Sequence, residues 1–418
     1  MITLSPEALV RKEPFGCLAG NLKHGKFIPH DETVFEVLKR LREPISEDKL
    51  FTVLQEMYEF DAADLSDLVD NLRERGVVVE SKISHDFLFF FESKTDFRTD
   101  CYSAPVGVVI YLTKKCPKEC GHCVTLSSPR VITSGELSTE QWKQVLQKLR
   151  AGGVGRIVFT GGDPFVRRDF FEILEYADQL RFYIVINTDF DGLNQVLVDR
   201  LKEIRYLGCL QLSLDGGSAE THDWLRGAGA FSKNLARLEL LQRNGMYFVI
   251  SSAISRKNLH QVGALADIAS QYGAKHFYVR PLSPYGRGAE KDIRPFLLND
   301  EELWTLGQEY LLVHRDRGIG ADNPFWIENL GRIGDHSFHP FQNGLEKVSL
   351  GIYALSIGPN GFVYPDSKFK AKDVLGLGSV LERDFLELWN DPKWDKLRQN
   401  FSFGESAFME ESFLYLDD

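Results

Sequence analysis

The chain has 418 residues, enough for two or three domains that each bury a core of their own. Its net charge of −11 argues against bulk binding to nucleic acid, which needs a basic face. The longest apolar, aromatic-rich run, Phe87 to Phe91, is too short to cross a bilayer, and the N-terminus carries no signal-peptide pattern, so a cytoplasmic location without membrane contact is expected.

Residues 1–82 read as one small unit. Residues 23–31 suggest a short strand pair. Apolar residues at helical spacing over 33–41 mark a first helix, capped by Asp31 or Thr33 and closed by Pro44. A second helix runs from Ser46 to Met57. A third runs from Asp61 to Arg75, with an apolar stripe through Leu65, Leu68, Val69 and Leu72, and Gly76 ends it. Val77 to Glu80 then reads as a strand. Three helices followed by a hairpin strand form the pattern of a winged helix. The acidic stretch from Asp61 to Asp67 makes a phosphate partner such as DNA unattractive.

Residues 83–104 form a linker whose aromatics are expected to pack on a neighbouring domain. From 105 to 290 the pattern becomes strand–helix alternation. Strands are predicted over 108–112, 156–160, 182–186, 210–214, 248–254 and 276–279, with helices over 139–151 and 168–179 among the connections. Each return to the sheet needs a crossover, so the strands are parallel. Six repeats fall short of the eight that close a full barrel. The expected fold class is therefore α/β, a partial (β/α)6 barrel with chemistry at the C-terminal ends of its strands. Residues 291–418 read as a small α+β extension, with a strand pair around the turn at 358–361 and a helix over 383–389.

Three of the six cysteines, Cys116, Cys120 and Cys123, share one short loop directly after the first barrel strand. Three thiolates at this spacing can grip three irons of a 4Fe–4S cube and leave the fourth open. A structural zinc site is the alternative, and it wants a fourth Cys or His. His122 is too close to Cys123 to share its metal. Gly161, Gly162, Asp163 and Pro164 follow the second strand. Paired glycines let backbone approach a ligand, and the Asp163 carboxylate can accept from an ammonium group. Cys17, Cys101 and Cys209 are scattered and read as ordinary thiols.

Together the CxxxCxxC loop and the GGDP turn resemble the radical S-adenosylmethionine superfamily, GGDP standing for its GGEP motif with the acid one carbon shorter. The resemblance implies one 4Fe–4S cluster held by Cys116, Cys120 and Cys123, with S-adenosylmethionine chelated at the open iron. It also implies an external one-electron donor of flavodoxin or ferredoxin type, reductive cleavage of the sulfonium, and a 5′-deoxyadenosyl radical that takes hydrogen from substrate. It places His122 near adenine, Ser213 at the ribose and Arg226 at the carboxylate. Asp215 and Arg226 could equally be a structural pair at a helix start. Ser252 is a further ribose contact, and Arg280 touches cofactor or substrate.

The flanks are similar to the branch that modifies ribosomally made peptides. The N-terminal unit resembles the element that captures a precursor's leader by strand addition to a sheet edge. The C-terminal stretch resembles the SPASM extension, whose cysteines bind auxiliary clusters. Here Asp366 stands where a cysteine is usual, and no cysteine follows Cys209. Auxiliary clusters are therefore expected to be absent, so the first cluster takes an electron back or the reaction is redox-neutral. The expected product is a cross-linked, excised or epimerised peptide. Epimerisation ranks last, because Cys209 lies at the start of its strand. Radical chemistry on a small molecule, and a metal-containing DNA-binding regulator, are the rival readings.

Overall fold

The computed structural model describes residues 1–56, 58, 62–83, 89–92, 101–189, 191–317, 319, 354–365 and 376–398. Four strands open the chain, β1 (Ile2–Leu4), β2 (Ala8–Glu13), β3 (Gly16–Asn21) and β4 (Phe27–Asp31). The strand pair expected over 23–31 is instead the single strand β4, which pairs with β3. The strands before residue 22 escape a hydropathy reading because β2 buries two charged residues. Arg11 and Glu13 form an ion pair at 2.6 Å, almost wholly out of solvent.

Three helices follow, α1 (Glu32–Arg40), α2 (Glu47–Gln55) and α3 (Ala62–Glu74). Asp31 caps α1 by accepting from the Val34 amide at 3.0 Å, and Ser46 caps α2. Gly76, at φ 66°, ends the excursion after α3. β5 (Val78–Glu80) pairs with β1 rather than in a hairpin. The linker aromatics do pack inward: β6 (Phe89–Phe91) adds in parallel to β2, giving the sheet order β4-β3-β2-β6. Alternation splits the faces of this sheet. Val10, Cys17 and Ala19 meet Phe35, Leu38 and Val69 of the helices, whereas Leu9 and Leu18 join the core of the main sheet.

Six strands, β7 (Gly107–Tyr111), β8 (Arg156–Thr160), β9 (Tyr183–Thr188), β10 (Leu207–Ser213), β11 (Phe248–Ile254) and β12 (His276–Pro281), lie side by side in chain order, all parallel. The crossovers are α4 (Thr139–Ala151), α5 (Phe170–Gln179), α6 (Gln195–Lys202), α7 (Ala219–Arg226) with α8 (Ala230–Arg243), and α9 (Val262–Gln271). A Ser138–Gln141 capping box starts α4. Ile110, Phe159, Ile186, Leu212 and Ile250 face the helices. Cys209, Val249 and Tyr278 cluster on the other face.

An 18-residue helix, α10 (Asp300–Arg317), follows where no element was expected and packs on α9. The predicted strand pair, β13 (Ala354–Ile357) and β14 (Val363–Tyr364), forms, but it does not stand apart. β13 adds in parallel to β7, so the main sheet has eight strands and remains open. The last helix described at length, α11 (Phe385–Trp389), docks by a bond from Trp389 Nε1 to the Tyr102 carbonyl at 2.7 Å. Asp366 lies outside the described residues.

Candidate functional site

The cysteine loop leaves the C-terminal end of β7, and three neighbours hold it. The Cys116 amide donates to the Ser128 carbonyl at 3.2 Å, and the Gly121 amide to Leu225 at the end of α7, 2.9 Å away. Arg287, in the short turn after β12, donates to the carbonyls of Cys120 and Ser127 at 2.7 and 2.8 Å. All three thiols are half-buried and free. Burial pushes the Cys116 thiol up to about 12, and the Cys120 and Cys123 charges add to the cost of ionising it. Three half-buried thiols on one short loop are a donor set for bound cations. Among the described residues no three His, Cys, Asp or Glu side chains converge on a point that would hold a single ion.

The GGDP turn follows β8 and lies against the same loop. A Cβ on Gly161 would fall 2.4 Å from the Thr113 carbonyl oxygen, and one on Gly162 2.0 Å from that of Lys115. The glycines therefore admit the cysteine loop itself, with the Gly162 and Asp163 amides donating to Thr113 and Lys115 at 2.7 and 3.0 Å. Pro164 opens a short helical turn. The Asp163 carboxylate, expected to accept from an ammonium group, is turned inward. It is 1% exposed and accepts from Thr188 Oγ1 (2.7 Å) and from the amides of Phe165 (2.9 Å) and Asp189 (3.2 Å). Burial raises it to about 6 against the pull of those donors. It fastens β8 to β9.

Asp215, just past β10, is fully buried. Its carboxylate accepts from Arg226 Nε at 2.5 Å and from the Ala253 amide at 2.8 Å, while Asn258 donates to its carbonyl at 2.6 Å. Burial alone would raise this acid, but the charge of Arg226 holds it well below the usual range. The pair joins the loop before α7, where Asp215 lies, to the helix's last residue, Arg226. Arg226 also reaches His122, Nη2 to Nε2 at 3.3 Å, and Asp189 at 3.9 Å. Burial pushes His122 down to about 4, with Arg226 adding to the effect against Asp215, so the ring is neutral at pH 7. Since Arg226 donates to Nε2, the proton sits on Nδ1, which is buried without a partner. An orphaned donor beside the thiols is what a ligand with an acceptor would satisfy.

Ser213 ends β10 on the face away from the helices, and its carbonyl accepts from Asn234 at 2.9 Å. Arg280 lies on the same side of β12, near Tyr278. Ser252 is misplaced by parity. It shares the helix side with Ile250 and Ile254, is fully buried, and donates its hydroxyl to the Leu214 carbonyl. It cannot face a ribose.

Sequence reasoning missed Lys118 and Asp189. Lys118, inside the cysteine motif, pairs with Asp189 past the end of β9, which also accepts from Asn234 at 3.3 Å and meets Arg237 at 3.5 Å. The signal available was position: Asp189 follows a predicted strand of the sheet. Three cations (Lys118, Arg226 and Arg237) thus face Asp189 and Asp215 at the strand ends, next to the thiols.

The model of the radical SAM superfamily matches residues 110–267, which contain the cysteine loop, the GGDP turn and the Asp215–Arg226 pair. The mycofactocin maturase MftC of Mycobacterium tuberculosis is 32% identical over 72% of this chain and 74% of its own length. This chain belongs to the radical SAM superfamily. A 4Fe–4S cluster and S-adenosylmethionine are the cofactors of that superfamily, and the chain is an enzyme of it. The AdoMet-dependent heme synthase of Methanosarcina barkeri is 34% identical over 46% of this radical SAM chain and 54% of its own. The fold is similar to that of Streptococcus suis SuiB bound to S-adenosylmethionine, with a TM-score of 0.70 and 17% identity over 95% of this chain and 90% of that one. SuiB has also been solved bound to its precursor peptide SuiA, with a TM-score of 0.67. No helix among the described residues is long and apolar enough to cross a membrane.

Proposed function

We propose that this enzyme is a radical SAM peptide maturase that modifies a ribosomally made precursor peptide. The observation that carries the reading is likeness to a peptide maturase over nearly three quarters of both chains, joined to three thiols on one loop beside a charged strand-end network. Cys116, Cys120 and Cys123 would hold the cluster. Bound together, cluster and S-adenosylmethionine supply a carbon-centred radical that abstracts hydrogen from substrate.

The chain's own residues do the positioning. Arg226, fixed by Asp215, and Lys118 suit the carboxylate of the methionine part, while Asp189 and the carbonyls of the GGDP turn suit its ammonium. His122 Nδ1 offers a donor to the adenine or the sulfonium-bearing moiety. Ser213 and Arg280 remain contacts for ribose and substrate on the face away from the helices. Residues 1–82 are proposed as a winged-helix-like leader-recognition domain, 83–104 as its linker, 105–290 as the radical barrel, and 291–418 as a SPASM-like extension without auxiliary-cluster cysteines. β4, paired only with β3 among the described residues, is the edge to which a leader strand would add. A flavodoxin or ferredoxin in the cytoplasm is the proposed electron donor.

Mass spectrometry of the co-encoded peptide tests the reading, after anaerobic reaction with reductant and S-adenosylmethionine. A mass change with release of 5′-deoxyadenosine is expected. An unchanged peptide, alongside turnover of a small molecule, would favour the second reading. The heme-synthase likeness supports that alternative, but it covers 46% of the chain against 72%.

A further inference from the structure

At the opposite ends of the main strands from the cysteine loop, the N-terminal sheet and the base of the main sheet flank an open cavity of about 570 Å3. β3, β4 and α3 form one wall. Tyr183, Gly208 and Tyr247, at the starts of β9, β10 and β11, form the other. Tyr183 is 2% exposed, and its hydroxyl is buried without a hydrogen-bond partner. The ring cannot turn to find one, because it is clamped between two glycines. A Cβ on Gly25 would fall 2.5 Å from it, and one on Gly208 1.9 Å. The ring therefore forms a fixed part of the cavity wall, with its hydroxyl closed off from solvent.

The charge of the cavity runs against that of the chain. Lys23, Lys26 and Arg75 line it, opposed by Glu74 alone among the lining acids, whereas the whole chain carries −11. Glu7 stands 3.6 Å from Lys23 at the rim, and Arg75 donates Nε to Asn71 at 2.8 Å. Burial, aided by Arg75, pushes His30 down to about 4, so it adds no charge at neutral pH. The lysines and Arg75 carry the excess.

We propose that this cavity reads an acidic segment of the precursor's leader, with Asp or Glu carboxylates facing Lys23, Lys26 and Arg75. The inference rests on the peptide-maturase reading. It adds that both the N-terminal unit and the base of the main sheet recognise the leader, and it names the chemistry they select. Charge complementarity of this kind sets specificity and encounter rate.

The test uses full-length reconstituted enzyme and a fluorescein-labelled synthetic leader from the precursor encoded beside the gene, read by anisotropy. Amidating every Asp and Glu of the probe is expected to weaken binding about tenfold or more. Arg75→Glu should lose affinity for the native probe and recover it with a probe whose acids are replaced by Lys. Equal affinities across these enzymes and probes, with the wild-type probe still bound, overturn the cavity assignment and leave the maturase reading standing. A leader that neither binds wild-type enzyme nor is modified overturns both.

Discussion

At the scale of single residues, the thiols and the buried acids divide the work. Cys116→Ala, Cys120→Ala and Cys123→Ala each remove one of the three proposed iron ligands. Each variant is expected to lose the cluster's visible absorbance and to release 5′-deoxyadenosine only at background, measured by chromatography after anaerobic reconstitution. Wild-type cleavage by any one of them would overturn the ligand assignment. Asp163 makes a different prediction. Burial raises its folded value to about 6 from an ordinary 3.8, so its neutral form is the one the fold prefers. Its contribution is fully present below about 4 and is lost as pH rises through 6, a change on the order of 2–3 kcal/mol. Melts of wild type and Asp163→Asn across pH 4–7 should show the stability gap moving against the wild type as pH rises. A gap independent of pH would show that Asp163 titrates normally.

The same scale shows where the sequence was legible. That the three thiols share one loop could be read because the grouping is set by sequence spacing alone. Ser252 could not, because a one-residue difference in parity decides which face of β11 it occupies, and a strand buried on both faces gives no alternation to fix that parity. Asp163 was identified as important, but its partners Thr188 and Asp189 lie 25 and 26 positions along the chain, and only the fold brings them to it.

At the scale of elements, the GGDP turn and the cysteine loop act as one body, since the loop's carbonyls fill the space where Gly161 and Gly162 lack side chains. Gly162→Ala would drive its methyl into the Lys115 backbone and displace the loop that carries Cys116. Reconstitution is expected to yield substantially less cluster, and 5′-deoxyadenosine release to fall at least about tenfold, although no ligand has been changed. Iron content and cleavage rate check this, and normal values for both would refute the coupling. The six parallel strands were legible as elements because each is a short apolar run between helices. The strands before residue 22 were not, because β2 buries Arg11 against Glu13. Arg11 also donates to the carbonyls of Ala104, Pro105 and Gly153 in the main body, at 2.7, 3.2 and 3.0 Å. The addition of β13 to β7 joins residues nearly 250 positions apart, which local pattern cannot foresee.

At the scale of the whole molecule, the N-terminal unit is not a detachable module. Leu9, Leu18, Phe27 and Ile28 belong to the same buried cluster as Ile157, Phe159 and Trp389. Tyr206 donates to Glu7 at 2.6 Å, and Arg181 to the Pro6 carbonyl at 3.2 Å. Deleting residues 1–82 would expose an apolar face of the main body. The truncated chain is expected to aggregate or bind a hydrophobic dye, and a soluble, dye-negative truncation with full cofactor cleavage would contradict this.

The cavity beneath the main sheet and the cysteine loop above it lie at opposite ends of strands such as β9, six residues long. At about 3.3 Å per residue that separation is about 17 Å in a straight line. Tyr183, Cys209, Val249 and Tyr278 are buried along the way, so a tethered substrate has to travel around the flank. The straight distance takes about five extended residues, and a detour past a helix about 10 Å thick roughly doubles it. With a leader anchored there, the protein would work as a ruler, choosing which residue meets the radical by how far it sits from the anchored end. Excising about ten residues from the middle of the precursor should leave its grip on the enzyme intact and abolish or relocate the modification, as fragment masses would record.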